Sequence, residues 1–197
     1  MKKAILILSF LFPSLSFAGV SVFAGQGYGS FRLSGAGSSN MASVMLAGIK
    51  FSEYFDFRYM SLDTSLRMPL LPFRIIDMRY AKSGNTYTYY DSDVFGLSFN
   101  IPFNEHIRFG LMYGLGKLKI YEMTEQSSGE YTANIHKGLL HAVNAELVGT
   151  FDLNVLRFSP TIGVLTHFLD KDAGYDNAMS IYLGLSVSYI FKGKDQD

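Results

Sequence analysis

Four histidines, His106, His136, His141 and His167, are the side chains of this chain best suited to proton transfer near neutral pH. A hydrolase built on one of them needs a nucleophile within hydrogen-bond reach and an acid to orient the ring. His106 falls in a short turn. His141 shares parity with the apolar residues of its segment, near one end of it, and His167 sits at a comparable height on the next segment but on the opposite parity. Neither begins a His-x-Ser pairing: Ala142-Val143 follows His141, and Phe168-Leu169 follows His167. The sequence therefore implies no enzyme. Asp170, Asp172 and Asp176 cluster around Gly174 but lack the later glutamate of a calcium loop, so they read as a solvated acidic loop. Gly25, Gly27 and Gly29 lie in a strand-like stretch with no helix after it, so they are no nucleotide fingerprint. The chain has no cysteine, which excludes disulfides and thiolate metal sites. Neither a metal nor a cofactor is implied.

A second set of charges is more telling. Arg32, Arg58, Arg108, Glu146 and Arg157 are isolated among Gly, Ser, Thr and Asn. If these small residues line a narrow interior, Glu146 must find an arginine there, because a lone buried charge is costly. Arg108 and Arg157 lie on the segments flanking that of Glu146 and are the expected partners. Arg58 is farther round the wall. Gln26, Asn144, Ser159 and Thr161 are further interior candidates. The network reads either as a structural polar plug or as a gate for a narrow pore.

The elements that position these residues are strands. In residues 95–101, Phe95, Leu97, Phe99 and Ile101 alternate with Gly96, Ser98 and Asn100. Ile107, Phe109, Leu111, Tyr113 and Leu115 oppose Arg108, Gly110, Met112, Gly114 and Gly116. The same period of two runs through 143–151, 156–164 and 181–191. A soluble sandwich carries Lys and Glu on its polar face, whereas here that face is small and uncharged. Aromatics stand at the ends of the apolar face: Phe151 and Phe158 at one turn, Tyr189 and Phe191 at the close. Apolar outside, small and polar inside, with aromatic girdles, is the pattern of a transmembrane barrel. The spacing predicts eight strands, at 20–33, 41–51, 55–67, 89–101, 107–121, 138–151, 156–168 and 179–191. Short turns alternate with long links at 34–40, about 68–90, 122–137 and 169–178. Residues 74–82 form an extra hairpin wall turning near Ser83-Gly84-Asn85.

Residues 1–18 have the plan of a cleavable leader. Lys2 and Lys3 precede the apolar run 4–12, and Ser16-Phe17-Ala18 places small residues at −3 and −1. The expected organisation is a leader over 1–18, a barrel over 19–191 and a polar tail over 192–197. Lys+Arg and Asp+Glu both count 17, and this balance speaks against nucleic acid.

Two repeated stretches carry a family resemblance. Phe51-Ser52-Glu53-Tyr54-Phe55-Asp56-Phe57-Arg58-Tyr59 and Pro102-Phe103-Asn104-Glu105-His106-Ile107-Arg108-Phe109 each step from a polar turn into an outward-alternating strand. Tyr182-Leu183-Gly184-Leu185-Ser186-Val187-Ser188-Tyr189-Ile190-Phe191 resembles an aromatic-terminated last strand. Together they resemble the OmpA/OmpX class of small outer-membrane barrels, which includes adhesion and serum-resistance proteins. The resemblance implies an all-β, eight-stranded, up-and-down antiparallel barrel in a bacterial outer membrane, with both termini periplasmic. It implies partners in outer-membrane lipid and lipopolysaccharide, and an assembly machinery that reads Tyr189 and Phe191. Loops on a rigid scaffold are where recognition usually sits. The contact candidates are Arg74, Arg79, Tyr80, Tyr87, Tyr89 and Tyr90 in the second long link and Tyr131 in the third. They point to adhesion to host-cell or matrix proteins, or to surface protection. A purely structural barrel, a small gated pore and a lipid A-modifying enzyme are the alternatives.

Overall fold

The computed structural model describes residues 20–35, 39–64, 66–67, 74–76, 81–170 and 175–190. The expected leader and tail, Phe191, Arg79, Tyr80 and Asp172 lie outside these residues. Among the described residues twelve strands follow in order: β1 (Ser21–Leu33), β2 (Ser39–Lys50), β3 (Phe55–Asp63), β4 (Leu66–Arg67), β5 (Arg74–Ile76), β6 (Ala81–Ser83), β7 (Thr86–Pro102), β8 (Ile107–Glu125), β9 (Tyr131–Gly149), β10 (Phe151–Leu153), β11 (Leu156–Leu169) and β12 (Asn177–Ile190). Eight of them, β1, β2, β3, β7, β8, β9, β11 and β12, form the wall, each antiparallel to its neighbours. The β12–β1 pairing runs from Ser21↔Ile190 to Leu33↔Ala178, and with β9–β11 it closes the ring. β10 continues β9 past Thr150. Closure leaves no sheet edge within the wall, which a membrane interior requires.

One rim is built of tight turns. The Ser52 hydroxyl accepts the backbone N–H groups of Tyr54 and Phe55 at 3.2 and 3.1 Å. Asn104 Oδ1 does the same for His106 and Ile107 at 2.8 and 2.9 Å. These short polar side chains replace the ladder hydrogen bonds that the chain loses as it reverses. The opposite rim carries the longer connections, and Gly84 at φ 58° turns the β6–β7 hairpin where the sequence placed it.

The alternation sorts as a membrane wall demands. Leu97, Leu183 and Leu185 are outward and 66%, 67% and 44% exposed, within a belt that includes Phe57, Phe95, Leu111, Tyr113 and Ile162. Phe55, Phe103, Phe151 and Tyr189 ring the turn end. A continuous exposed apolar belt of this kind has no place in water.

The interior differs from the expectation in its loop-side half. There Phe31, Leu33, Val44, Met60, Leu62, Val94, Met112, Leu118, Ile120, Leu140 and Leu165 are buried together. These residues belong to the inward parity, so the lumen holds a hydrocarbon layer above its polar layer. An eight-stranded barrel is just wide enough for its side chains to fill.

Candidate functional site

The polar layer is organised by Arg58, at 2% exposure. Its Nε and Nη2 donate to Asp56 Oδ1 and Oδ2, both at 2.9 Å. Its Nη1 reaches across the lumen to Glu146 Oε1 at 2.6 Å. The second Glu146 oxygen accepts from Asn144 Nδ2 at 3.1 Å and from the Tyr182 hydroxyl at 3.2 Å. Asn100 Nδ2 completes Asp56 at 2.8 Å. The guanidinium also lies 5.5 Å from the centre of the Phe23 ring. Arg58 is thus a fixed bidentate clamp rather than a mobile charge.

The expected partners of Glu146 are corrected by register. The residues beside Glu146 on the flanking strands are Gly110 and Gly163. Arg108 pairs with Val148, one inward step nearer the turn end, and closes no ion pair with Glu146 among the described residues. Arg157 pairs with Asp152, which it binds bidentately at 2.6 and 2.7 Å near the rim. Arg58 stands three strands round the ring, almost opposite Glu146, where a long side chain spans the lumen. The two glycines make the room: a Cβ at Gly163 would lie 2.5 Å from the Tyr182 ring, and one at Gly110 would lie 2.9 Å from Glu146 Cγ. Arg32 is a second correction. It is exposed between buried Phe31 and Leu33, so it points away from the network. Gln26 likewise takes the parity of Val22 and Ala24, although it is buried.

Below the clamp lies a cavity of about 20 Å³, bounded by Lys50, Arg58, Arg108 and Glu146, with room for about one water. It gives way to a vestibule of about 650 Å³ at the turn end, where Lys50, Arg108 and Arg157 face Glu53, Glu105 and Asp152. Above the clamp, the apolar side chains surround a fully buried polar pair, the Tyr90 hydroxyl and His167 Nδ1, 2.6 Å apart, with buried Ser92 and Ser180 in the same half. His167 faces inward, as its parity implied. His141 is outward and exposed, with its Nδ1 2.6 Å from the Tyr113 hydroxyl. No serine or threonine is hydrogen-bonded to either ring among the described residues. No cluster of His, Asp and Glu able to hold a metal ion occurs among them either.

The second functional region is a sheet that rises above the loop-end rim. β8 and β9 stay paired from Ile107↔Gly149 to Glu125↔Tyr131. β7 runs alongside to Thr86↔Thr124, and β6 adds Ala81↔Thr88 on its far side. The expected third link over 122–137 is therefore mostly strand, turning through Gly129. β-Branched and aromatic residues such as Ile120, Tyr121, Thr132 and Ile135 favour that pairing over a loose loop.

Several loop candidates are corrected at the same time. Tyr90 is a core residue, stacked on His167 with 5.8 Å between ring centres. Tyr89 is only 9% exposed and packs on Tyr121. Tyr87 and Tyr131 remain on the protruding sheet, with ring centres 6.4 Å apart, and Tyr131 is 56% exposed. Arg74 opens β5, which pairs with β4 in a separate two-stranded sheet. Tyr189 is outward on the last strand, opposite Val22 and Leu156.

Glu122 fastens the sheet to the last loop. It accepts from the Tyr175 hydroxyl and lies 3.1 Å from His136 Nε2. Burial, and then the adjoining Glu122 carboxylate, push the Tyr175 phenol up to about 12 from an ordinary value of 10.0. Because the folded value is the raised one, this anchor contributes its full stability below pH ~10 and loses it as pH climbs through about 12. A phenolate titration of the folded protein will show a tyrosine ionising near 12 that is missing in Tyr175→Phe. If the two titrations superimpose, the anchor is not formed.

No protein-family model matches the chain, and no curated protein matches it in sequence. Solved structures do match in shape. Neisserial surface protein A (NspA) aligns over 88% of this chain and 97% of its own, at 13% identity and TM-score 0.53. Ail, the attachment invasion locus protein of Yersinia pestis, aligns over 87% and 99%, at 12% identity and TM-score 0.54. The N-terminal β-barrel domain of Pseudomonas aeruginosa OprF aligns over 87% and 97%, at 11% identity and TM-score 0.52. The fold is that of the small outer-membrane barrels. At these identities the likeness is one of architecture, and activity has to be argued from the surfaces above.

Proposed function

We propose that this chain is an integral outer-membrane barrel with its turn end and both termini in the periplasm, and that its protruding sheet binds host-cell or matrix proteins. The observation that carries the reading is the length of β8 and β9. Each has 19 residues, whereas a membrane-crossing strand needs about 9–11. The surplus stands outside the membrane as ordered strand, and such an extension serves no purpose in anchoring. From Leu139 to Tyr131, β9 pairs only with β8 among the described residues, so its outer edge presents backbone donors and acceptors. Exposed Ile135 and Tyr131 stand beside that edge. An open edge flanked by apolar side chains suits an extended segment of a partner protein.

The buried hydrocarbon side chains weigh against the pore alternative, since they fill much of the loop-side half of the lumen. The histidines lack the nucleophile that a lipid A-modifying enzyme would use, which favours a non-enzymatic role. The test displays the full protein, or a version with 120–136 replaced by a short turn, on bacteria at equal surface levels. Binding to host cells or matrix proteins by the full protein alone supports adhesion through this sheet. Equal binding by both, or by neither, removes it.

A further inference from the structure

We propose that the throat of the turn-end vestibule binds a small phosphate-class oxyanion, as inorganic phosphate or a phosphate monoester, on Arg108 and Lys50, with Arg157 on the third side. The site begins from where the cations stand. Lys50 ends β2, Arg108 follows Ile107 at the start of β8, and Arg157 follows Leu156 at the start of β11. Round the wall these strands are three, two and three places apart, so the side chains enter the lumen from three directions. All three line both the small cavity below the clamp and the vestibule beneath it, which puts them at the throat between the two.

Pairing then separates the engaged cations from the rest. Lys50 stands opposite Asp56 in register. That carboxylate is already taken, both oxygens by the Arg58 guanidinium and one of them also by Asn100. It closes no ion pair with Lys50 among the described residues. Arg108 stands opposite Pro102 and Val148, neither of which has a side-chain acceptor. Its Nε is buried and hydrogen-bonds to no protein atom among the described residues. Arg157 commits Nε and Nη2 to Asp152 and keeps Nη1. Glu53 and Glu105 lie exposed on the turns, and neither closes an ion pair with Lys50 or Arg108 among the described residues. Around the throat, Lys50, Arg58, Arg108 and Arg157 therefore meet only the three carboxylates of Asp56, Glu146 and Asp152. A buried donor without an acceptor is costly, and an oxyanion at the throat supplies one while balancing the surplus charge.

Shape selects the class of anion. A guanidinium donates to two oxygens at once, and an ammonium acts as a point charge. A tetrahedral oxyanion presents oxygens to all three sides of the throat, whereas a flat carboxylate presents two in one plane. The hydroxyls of Ser186 and Ser188 line the upper end and add donors there. The vestibule, at about 650 Å³, holds whatever group a monoester carries.

The experiment is phosphorus NMR on the full chain, refolded in a maltoside detergent that contains no phosphorus. The protein is titrated with inorganic phosphate or glycerol phosphate at neutral pH and constant ionic strength, with acetate as the competitor. Micelles leave both ends of the barrel open to solvent, so the result depends neither on the orientation proposed above nor on adhesion. The expected result is saturable broadening of the phosphate resonance that an equal concentration of acetate does not reverse. Saturation by inorganic phosphate alone assigns the free ion, and saturation by both ligands assigns the phosphate group of an ester as well. Arg108→Gln and Lys50→Gln each weaken binding at least about tenfold, or about 1.4 kcal/mol, while Arg108→Lys loses less. Heat-modifiable migration in gels verifies that each variant is folded, and Lys50→Gln, at the end of its strand, carries the test if Arg108→Gln does not fold. Broadening that never saturates, its reversal by equal acetate, or unchanged affinity in the folded Gln variants overturns the proposal.

Discussion

Replacing Arg58 with methionine lowers the unfolding free energy of the barrel by about 3–5 kcal/mol, the usual cost of leaving a buried charge without its partner. Two carboxylates depend on this one guanidinium, Asp56 at 1% and Glu146 at 3% exposure. Methionine has nearly the length of the arginine stem, so the loss does not come from an unfilled cavity. The decisive comparison is Arg58→Met combined with Asp56→Asn and Glu146→Gln. With both acids neutralised, the amides still hydrogen-bond to Asn100, Asn144 and Tyr182, and most of the stability returns. Urea titrations of the refolded protein in vesicles measure both differences. If the triple variant is as weak as the single one, the clamp acts through packing against Phe23 rather than through charge. Arg157→Met is the control. Its partner Asp152 is 50% exposed, and rim pairs of that kind contribute about 0–1 kcal/mol.

The wall of this barrel is legible in its sequence because a membrane imposes a period of two on every strand, and no loop detail disturbs it. The turn-side halves of the strands from Phe95 to Tyr189 alternate clearly, and their outward sets agree with the structure. The lumen is harder to read, because its contacts cross between strands far apart in sequence. Neighbouring strands suggested Arg108 and Arg157 for Glu146, yet register set both below it and brought in Arg58 from 88 residues away. Asp56 could have been found, since it shares the parity of Arg58 two residues on. Tyr182 could also have been found, as the one large residue on the inward side of a Gly and Ser face. The protruding sheet was concealed for a different reason. Glu122, Asn134 and His136 are polar in a stretch read as loop, and only their pairing across β8 and β9 makes them strand. Tyr89 and Tyr90 fall where the expected long link overlaps the expected strand, and β7, which begins at Thr86, makes both of them wall residues.

The outward face offers the sharpest discrimination between a membrane wall and a soluble one. Leu97 lies midway between Ile101 at the turn end and Asp93 at the charged rim, and it is flanked in register by Phe57 and Tyr113. It is 66% exposed and touches little of the protein's own core. In a soluble barrel, a surface Leu→Arg change of this sort alters stability by at most about 0.5 kcal/mol. In a bilayer the new guanidinium sits at the midplane, too far from either headgroup layer to be well hydrated, and the cost is about 2–4 kcal/mol. Leu115→Arg, two residues below Lys117 on β8, needs only a short stretch of its stem to reach the polar layer and costs about 0–1 kcal/mol. Both proteins are unfolded from the same vesicles, so the difference between them isolates depth from charge. A steep loss at Leu97 with a small one at Leu115 fixes the lipid boundary near Lys117; equal effects at the two positions place it elsewhere.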